Sequence, residues 1–375
     1  MATINYLTRI EFDYGSVKLL PNLIKELDIL NPLIVTDSYL SNSDIFKDLI
    51  LSLKQTQPTI FADTPQNPTE EAVECAVKIY NENACDGIIA VGGGSSIDLA
   101  KGVALLATHD GPLDQYALIL GGLNKISSRV APLIAVPTTA GTGSEVGRGA
   151  LITLRDGRKL GFISPFLIPK IALCDPLLTL TLPPRLTAAT GMDALTHCIE
   201  TFLSPRVNPP ADAIALDGAQ RAAKWIEVAY KDGKNHEARW NMMMASLQGG
   251  LTFQKGLGAV HSMSHPLGGL KNITLHHGTL NALILPAVLR FNRDFCQDKL
   301  LILEQAIGLQ KNIKLEDFIA QLNQNLDLPN SLSSIGVTRE VLPQMIDGAI
   351  NDHSTATNPR SLTKQDFTDL FEQVF

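Results

Sequence analysis

Two patterns of hydrophobic and polar positions alternate along the first half of the chain. Short aliphatic and β-branched runs predict strands, and stretches with apolar residues at three- and four-residue spacing predict helices between them. The strand-like runs are 33–37, 59–64, 87–96 with its glycine turn, 132–144 with a break at Pro137, and 170–175, and a helix is predicted for 96–108. Strands that alternate with helices indicate βαβ units and a parallel sheet. We therefore predict a Rossmann-like α/β fold here.

The pattern changes after Pro183 and Pro184. Before this point, two runs in 151–164 flank Asp156 and Gly157, which predicts a hairpin. Beyond it, strand-like runs nearly vanish, and long helical patterns follow, such as 185–203 and 211–230. We predict two domains, an α/β domain at 1–180 and an all-helical domain at 181–375.

Composition narrows the class of protein. The chain has 375 residues, a net charge of −7 and no basic block, which argues against nucleic-acid binding. Its five cysteines show no CxxC spacing, which suits a reducing cytoplasm. The N-terminus lacks a signal-peptide pattern, and no apolar run is long enough to span a membrane. We expect a cytoplasmic protein that binds small molecules.

A glycine-rich turn follows the third strand-like run. "VGGGSSIDLAK" (91–101) is a strand, a turn and the start of a helix, whose first amides could bind a phosphate. Ser95 or Ser96 is predicted to cap this helix. The pattern is neither GxGxxG nor a P-loop, so a plain strand-to-helix turn explains this segment equally well.

A second turn, also rich in glycine, strengthens the hypothesis that the chain binds a nucleotide through its phosphates. "VPTTAGTGSEV" (136–146) gathers the hydroxyls of Thr138, Thr139, Thr142 and Ser144 around two glycines. Ligands of parallel sheets lie beyond the carboxyl ends of the strands, where both turns are predicted. Asp37 also ends a strand, and an acid there accepts hydrogen bonds from ribose hydroxyls and repels a 2′-phosphate. This favours NAD, although a helix N-cap is an equal alternative for Asp37.

Histidine spacing predicts a metal site. In "GMDALTHCIE" (191–200), Asp193 and His197 stand one helical turn apart on one face. Between residues 258 and 286 lie four more histidines: His261, His265, His276 and His277. Imidazole and carboxylate are natural ligands of Zn²⁺ and Fe²⁺. The alternatives for the Asp193 pair alone are a surface ion pair or a buried structural pair.

Taken together, these motifs resemble the iron-containing (group III) alcohol dehydrogenase family. The resemblance is carried by "GGGSSIDLAK", "PTTAGTGSEV", "DPLLTLTLPPRLTAATGMDALTHCIE" and "VHSMSHPLGG" with "HHGTLNALILP", and it covers nearly the whole chain. It implies a dinucleotide-binding domain followed by a helical metal domain, a fold shared with dehydroquinate synthase, with the site in the cleft between them. It also implies hydride transfer between NAD(H) and a small alcohol, aldehyde or ketone, and a homodimer.

The resemblance also assigns residues. The implied metal ligands are Asp193, His197, His261 and His277, with Fe²⁺ as the expected ion and Zn²⁺ as the alternative. His276 is the alternative last ligand, because the loop before it is longer than the family pattern. His265 is implied for proton handling near the substrate. The residues predicted to contact the cofactor are Asp37, Asn67, Gly93, Gly94, Ser95, Asp98, Thr138, Thr139, Thr142 and Lys159.

Other functions stay open at this point. A hydroxy-acid dehydrogenase of the same family, for example of the 4-hydroxybutyrate type, could use Arg148 or Lys271 to bind a carboxylate. A dehydroquinate synthase-like lyase would need additional Lys and Arg around the metal, whereas these motifs are flanked by small and apolar residues. A metal-dependent hydrolase without a dinucleotide and a non-enzymatic binding protein are the remaining alternatives.

Overall fold

The computed structural model describes residues 8–53, 56–270 and 272–375; Lys271, one of the two carboxylate candidates, lies outside this range. By its internal contacts the chain divides into two compact units. The α/β unit comprises residues 8–139 and 144–179. The helical unit comprises Leu180–Phe375 together with Ala140–Gly143. Among the described residues, the rest of the helical unit comes from the second half of the chain.

The α/β unit contains a six-stranded parallel sheet. Its strands and those of a separate hairpin are β1 (Arg9–Phe12), β2 (Pro32–Val35), β3 (Thr59–Phe61), β4 (Gly87–Gly92), β5 (Leu133–Pro137), β6 (Gly149–Thr153), β7 (Lys159–Ile163) and β8 (Ile171–Cys174). The sheet order is β1-β8-β5-β4-β2-β3, and β6 pairs antiparallel with β7. The predicted parallel sheet and the predicted hairpin are both confirmed. Strand β1 was not predicted from the sequence.

Four helices accompany this sheet: α1 (Leu20–Glu26), α2 (Asp44–Ser52), α3 (Glu70–Glu82) and α4 (Gly94–Leu106). Successive residues of a strand point to opposite faces of the sheet. Accordingly, Leu33 and Val35 join one hydrophobic cluster, whereas Ile34 joins another. Every residue of β2, β4 and β5 is buried, as expected when helices cover both faces of a parallel sheet.

The predicted serine cap of α4 is wrong. Gly93 is the N-cap, and Ser95 and Ser96 lie inside the first turn of the helix. The reason is Gly92, whose φ of 153° turns the chain out of β4 so sharply that the helix begins before the serines. The Ser95 hydroxyl instead donates a hydrogen bond to the Gln66 carbonyl oxygen.

The helical unit contains no strand among its described residues. Its helices are α5 (Pro184–Leu203), α6 (Pro209–Lys231), α7 (His236–Leu251), α8 (Ala259–Gly268), α9 (His277–Asn292), α10 (Gln297–Ile307), α11 (Leu315–Asn325), α12 (Leu342–Ile350) and α13 (Lys364–Val374). All residues of α5 from Thr187 to Leu203 are buried, so α5 is the central helix, packed by α6, α7 and α9. None of the described helices combines the length and hydropathy that crossing a membrane requires.

Candidate functional site

Three helices bring one aspartate and three histidines together. Helix α5 supplies Asp193 and His197 one turn apart, α8 supplies His261, and α9 begins with His277. Asp193 Oδ1 lies 3.6 Å from Nε2 of His197, 3.7 Å from that of His277 and 4.0 Å from that of His261. One ligand atom from each of the four residues falls within 4.8 Å of the others. We call this group the Asp-His cluster.

Hydrogen bonds at Nδ1 orient two of the imidazole rings. His197 Nδ1 lies 3.2 Å from the Gly141 carbonyl oxygen, and His261 Nδ1 lies 2.5 Å from Glu200 Oε2. Because an oxygen acceptor faces each Nδ1, the ring hydrogen belongs there and Nε2 presents its lone pair towards Asp193. Burial lowers the pKa of His197 to about 4, so this ring is neutral at neutral pH. Neutral imidazole is the form that binds metals.

The donor set fits a divalent transition-metal ion. A tetrahedral ion with bonds of about 2.1 Å places its ligand atoms roughly 3.4 Å apart, close to the separations from Asp193 Oδ1. The Asn281 amide nitrogen lies 2.7 Å from Asp193 Oδ1 and 3.1 Å from Nε2 of both His261 and His277. One amide nitrogen thus lies within hydrogen-bond distance of three of the four ligand atoms, so these three atoms face the same point.

Of the two neighbouring histidines at the start of α9, only His277 belongs to the Asp-His cluster. His276 is the residue that precedes the helix. The four residues brought together are therefore the four that the family resemblance assigned as ligands, and their role in binding a metal stays a prediction.

A second group adjoins this cluster and contains His265, Asp352 and His353. His265 Nδ1 lies 2.9 Å from Asp352 Oδ2, and the His265 side chain is almost fully buried. The His265 ring stacks 5.6 Å from that of His277. Its Nε2 has no hydrogen-bond partner within the described part of the chain. Although burial opposes the shift, His265 and then His353 hold the pKa of the Asp352 carboxyl well below its usual range.

The first residues of the two glycine turns lie side by side, because β4 and β5 are neighbours in the sheet. The Thr138 amide donates to the Gly92 carbonyl oxygen at 3.0 Å. A Cβ atom on Gly93 would lie 3.3 Å from the Thr139 side chain. Gly93 and Gly94 form the N-terminus of α4, so amides of this turn are available to a phosphate group.

Asp37, Asn67 and Lys159 have partners within the α/β unit. Asp37 Oδ1 accepts hydrogen bonds from the amides of Tyr39 at 3.0 Å and Leu40 at 2.8 Å. Asp37 therefore binds the two amides that lead into the short 3-10 turn Leu40–Asn42, but the N-cap of that turn is Tyr39, so the structure does not make Asp37 its N-cap. Lys159 Nζ donates to Asn67 Oδ1 at 3.0 Å, so the structure brings these two predicted residues together.

Asp98 lies in a buried polar network with Lys101. Its carboxylate accepts hydrogen bonds from the Ser144 hydroxyl at 2.5 Å and the Leu151 amide at 2.9 Å. Lys101 Nζ donates to the carbonyl oxygens of Ser144, Gly147 and Gly149, and burial lowers its pKa to about 8. The pair anchors the chain between the second glycine turn and β6. A contact of Asp98 with the nicotinamide stays a prediction, as does that of Thr142, which lies in the Ala140–Gly143 segment.

Sequence reasoning missed four polar residues at these clusters: Glu200, Asn281, Asp352 and His353. Glu200 is seven residues beyond Asp193 and Asn281 is four beyond His277, so helical spacing could have identified both. Asp352 lies 87 residues from its partner His265, and no local pattern connects them.

Comparisons with known proteins agree with this architecture. Residues 8–176 match the model of the iron-containing alcohol dehydrogenases, and residues 187–375 match the model of the C-terminal region of the Fe-containing alcohol dehydrogenase family. The fold and these matches define an oxidoreductase of the alcohol dehydrogenase class. The chain belongs to the iron-containing alcohol dehydrogenase family.

Individual relatives span the chain from end to end. It is similar to 4-hydroxybutyrate dehydrogenase of Cupriavidus necator, with 52% identity over 380 residues that cover 100% of both chains. It is also similar to the crystal structure of 1,3-propanediol oxidoreductase, with a TM-score of 0.92, 32% identity and 100% of both chains covered. A third similar structure is sulfoacetaldehyde reductase from Bifidobacterium kashiwanohense in complex with NAD⁺. Its TM-score is 0.90 and its sequence identity 28%, with 100% of this chain and 98% of that chain covered. The predicted fold and oxidoreductase class are confirmed.

Proposed function

We propose that this protein interconverts a small primary alcohol and its aldehyde with NAD(H), and that Asp193, His197, His261 and His277 hold a catalytic Fe²⁺, with Zn²⁺ as the alternative. The observation that carries the proposal is the convergence of four ligand atoms in a chain that belongs to a dehydrogenase family. When bound, the ion supplies Lewis acidity, which lowers the pKa of an alcohol hydroxyl group.

The residues beside the cluster handle the proton. His265 Nε2 is buried and unpartnered within the described residues, so it is the atom that exchanges a proton with the substrate oxygen. Asp352 orients the ring by accepting from Nδ1. Burial of this pair and of the Asp-His cluster limits the access of water to the reacting atoms, which strengthens the electrostatic interactions there.

The α/β unit, which falls within the predicted domain 1–180, binds the dinucleotide in this proposal. Amides at the start of α4, around Gly93 and Gly94, contact the pyrophosphate, and Asp37 faces a ribose. The Asp37 carboxylate disfavours a 2′-phosphate, which supports NAD over NADP. Asn67, Lys159 and the threonines of the second turn complete the cofactor residues. The predicted all-helical domain 181–375 holds the metal in the same proposal.

For the substrate we propose 4-hydroxybutyrate and the corresponding aldehyde. The relative that acts on this hydroxy acid, by its name, is 52% identical over the full length of both chains. Small alcohols without a carboxylate are the alternative. A homodimer in the cytoplasm is also part of the proposal, and it predicts a mass in solution of twice the 40.6 kDa of the chain.

The test begins with anaerobic purification and metal analysis, followed by assays of NAD⁺ reduction. The substrates are 4-hydroxybutyrate, 1-butanol of the same chain length, 1,3-propanediol and ethanol. We expect kcat/KM for 4-hydroxybutyrate to exceed that for 1-butanol by at least about tenfold, because a site built to bind a polar group rejects an analogue that lacks it. Absence of NADH formation with the whole panel, in metal-loaded protein, would contradict the function itself.

A further inference from the structure

Glu200 contacts the Asp-His cluster at the Nδ1 side of the His261 ring. It lies on α5, on the helix face that carries Asp193 and His197, and its side chain is only 5% exposed. Glu200 Oε2 lies 2.5 Å from Nδ1 of His261, whereas Nε2 of that ring faces Asp193. The other oxygen, Oε1, accepts a hydrogen bond from the Val260 amide at 2.8 Å.

Both neighbours of Glu200 are hydrogen-bond donors, and only a carboxylate has two acceptor oxygens to satisfy them. Because Oε2 accepts from Nδ1, the His261 hydrogen stays on Nδ1 and Nε2 keeps its lone pair for a ligand bond. His197 is oriented in the same way by the neutral carbonyl of Gly141. At Nδ1, His261 thus has a carboxylate as its hydrogen-bond partner, whereas His197 has a backbone carbonyl.

Glu200 also changes the charge of the site. Asp193 and Glu200 are both buried, and among the described residues the ion pairs of each are with histidines only. Burying a carboxylate without a counter-charge is costly. Two buried carboxylates whose ion-pair partners among the described residues are histidines therefore favour a divalent cation over a monovalent one.

We propose that Glu200 is a positioning residue for the metal ion. It holds His261 in the tautomer that can bind a metal, and it supplies the second negative charge that retains a divalent cation. The inference rests on the proposed function, since it assumes that the ion binds at Asp193, His197, His261 and His277.

A purely structural role for Glu200 makes a different prediction. The Val260 amide lies in the first turn of α8, where a carboxylate stabilises the helix N-terminus. Gly258 leaves room for the Glu200 carboxylate, since a Cβ atom on Gly258 would lie 2.8 Å from Glu200 Oε1. If anchoring α8 is the whole role, removal of the carboxylate lowers stability and leaves the affinity for metal unchanged.

The Glu200→Gln variant separates these roles. One end of the glutamine amide carries hydrogens, so if its oxygen accepts from Val260, its NH₂ group faces His261 Nδ1 and forces the ring hydrogen onto Nε2. We measure the Kd of Zn²⁺ and of Co²⁺ on the full-length protein by competition with a chromophoric chelator. We expect the Kd to rise about 10- to 100-fold, with a changed Co²⁺ absorption spectrum.

Glu316→Gln is the matched control. Glu316 is an equally buried carboxylate of the helical unit, and it pairs with Arg293 instead of a histidine. This variant is expected to lose stability and to keep the wild-type Kd. Unchanged Zn²⁺ affinity in Glu200→Gln, with only a lower unfolding temperature of the metal-free protein, would overturn the proposal.

A second variant keeps the inference testable if Glu200→Gln does not fold. Gly258→Ala retains the carboxylate but displaces it, so a weaker Zn²⁺ affinity is again expected, and an unchanged one overturns the proposal. Failure of the wild-type protein to bind a divalent ion would contradict the proposed function instead, which distinguishes the two failures.

Discussion

Replacement of Gly278 by alanine should disrupt the metal site without touching any ligand. Gly278 follows His277 in the first turn of α9, where this helix approaches α5. A Cβ atom on Gly278 would lie 2.1 Å from the Ala189 carbonyl oxygen and 3.2 Å from Asp193 Cβ. Backbone atoms cannot rotate away as the end of a side chain can, so the helices must separate.

The size of the effect follows from these distances. Restoring a normal contact of about 3.5 Å from 2.1 Å requires a shift of about 1.4 Å at the start of α9. Such overpacking typically costs about 1–3 kcal/mol of stability. Metal–ligand distances tolerate only about 0.2 Å, so a shift of His277 on the ångström scale should weaken metal binding at least about tenfold. Misplacement on this scale should lower kcat/KM by about 100-fold.

The assay compares Gly278→Ala with Gly149→Ala. Gly149 lies in β6, and a Cβ atom there finds its nearest neighbour at an ordinary 3.6 Å. Thermal unfolding, chelator competition for Zn²⁺ and kcat/KM are measured for both variants. We expect losses only in Gly278→Ala. If that variant keeps its metal affinity within twofold and its full turnover, close approach of these helices does not position His277, and the reasoning is refuted.

Three further predictions concern single side chains. His277→Ala should abolish metal retention, whereas His276→Ala should leave it intact. Metal analysis of the two purified variants tests this, and the reverse result would make His276 the ligand. Asp352→Asn should lower kcat about tenfold at unchanged metal content, because His265 loses its orienting acceptor, and an unaltered kcat would argue against that role. Burial raises the pKa of Glu145 from 4.5 to about 7, so its proton is retained on folding. Relative to Glu145→Gln, wild-type stability should therefore fall by about 3 kcal/mol as pH rises from about 4.5 to about 7, measured by urea unfolding, and a constant difference would exclude this protonation.

Much of the fold could be predicted because its signals are local. The strand-like runs at 87–92 and 132–137 alternate with helical patterns, and the structure has β4 and β5 there. Strand β1 escaped prediction because it is only four residues long and only partly buried. Its place beside β8 depends on a pairing with residues 171–174, which no periodicity within the strand reveals.

The candidate site likewise has a part that could be predicted from local sequence and a part that could not. Asp193 and His197 are neighbours through helical spacing, which can be seen in the sequence. The meeting of α5, α8 and α9 depends on close packing, and the family motifs supplied that part of the prediction. Asp352 reaches His265 from 87 residues away, and only the folded chain connects them.

The Ala140–Gly143 segment has a consequence for the order of synthesis. Its Gly141 carbonyl oxygen accepts a hydrogen bond from Nδ1 of His197, which lies 56 residues later in the chain. A Cβ atom on Gly143 would lie 2.5 Å from Gly250 Cα, so this segment also packs closely against α7. At about 5–20 residues per second, the ribosome adds those 56 residues in roughly 3 to 11 s. During that time the segment has been synthesised and its packing partners have not. A truncated chain that starts at residue 180 would permanently lack the carbonyl that orients His197. The helical half therefore does not contain every residue of the site when it is separated from residues 140–143.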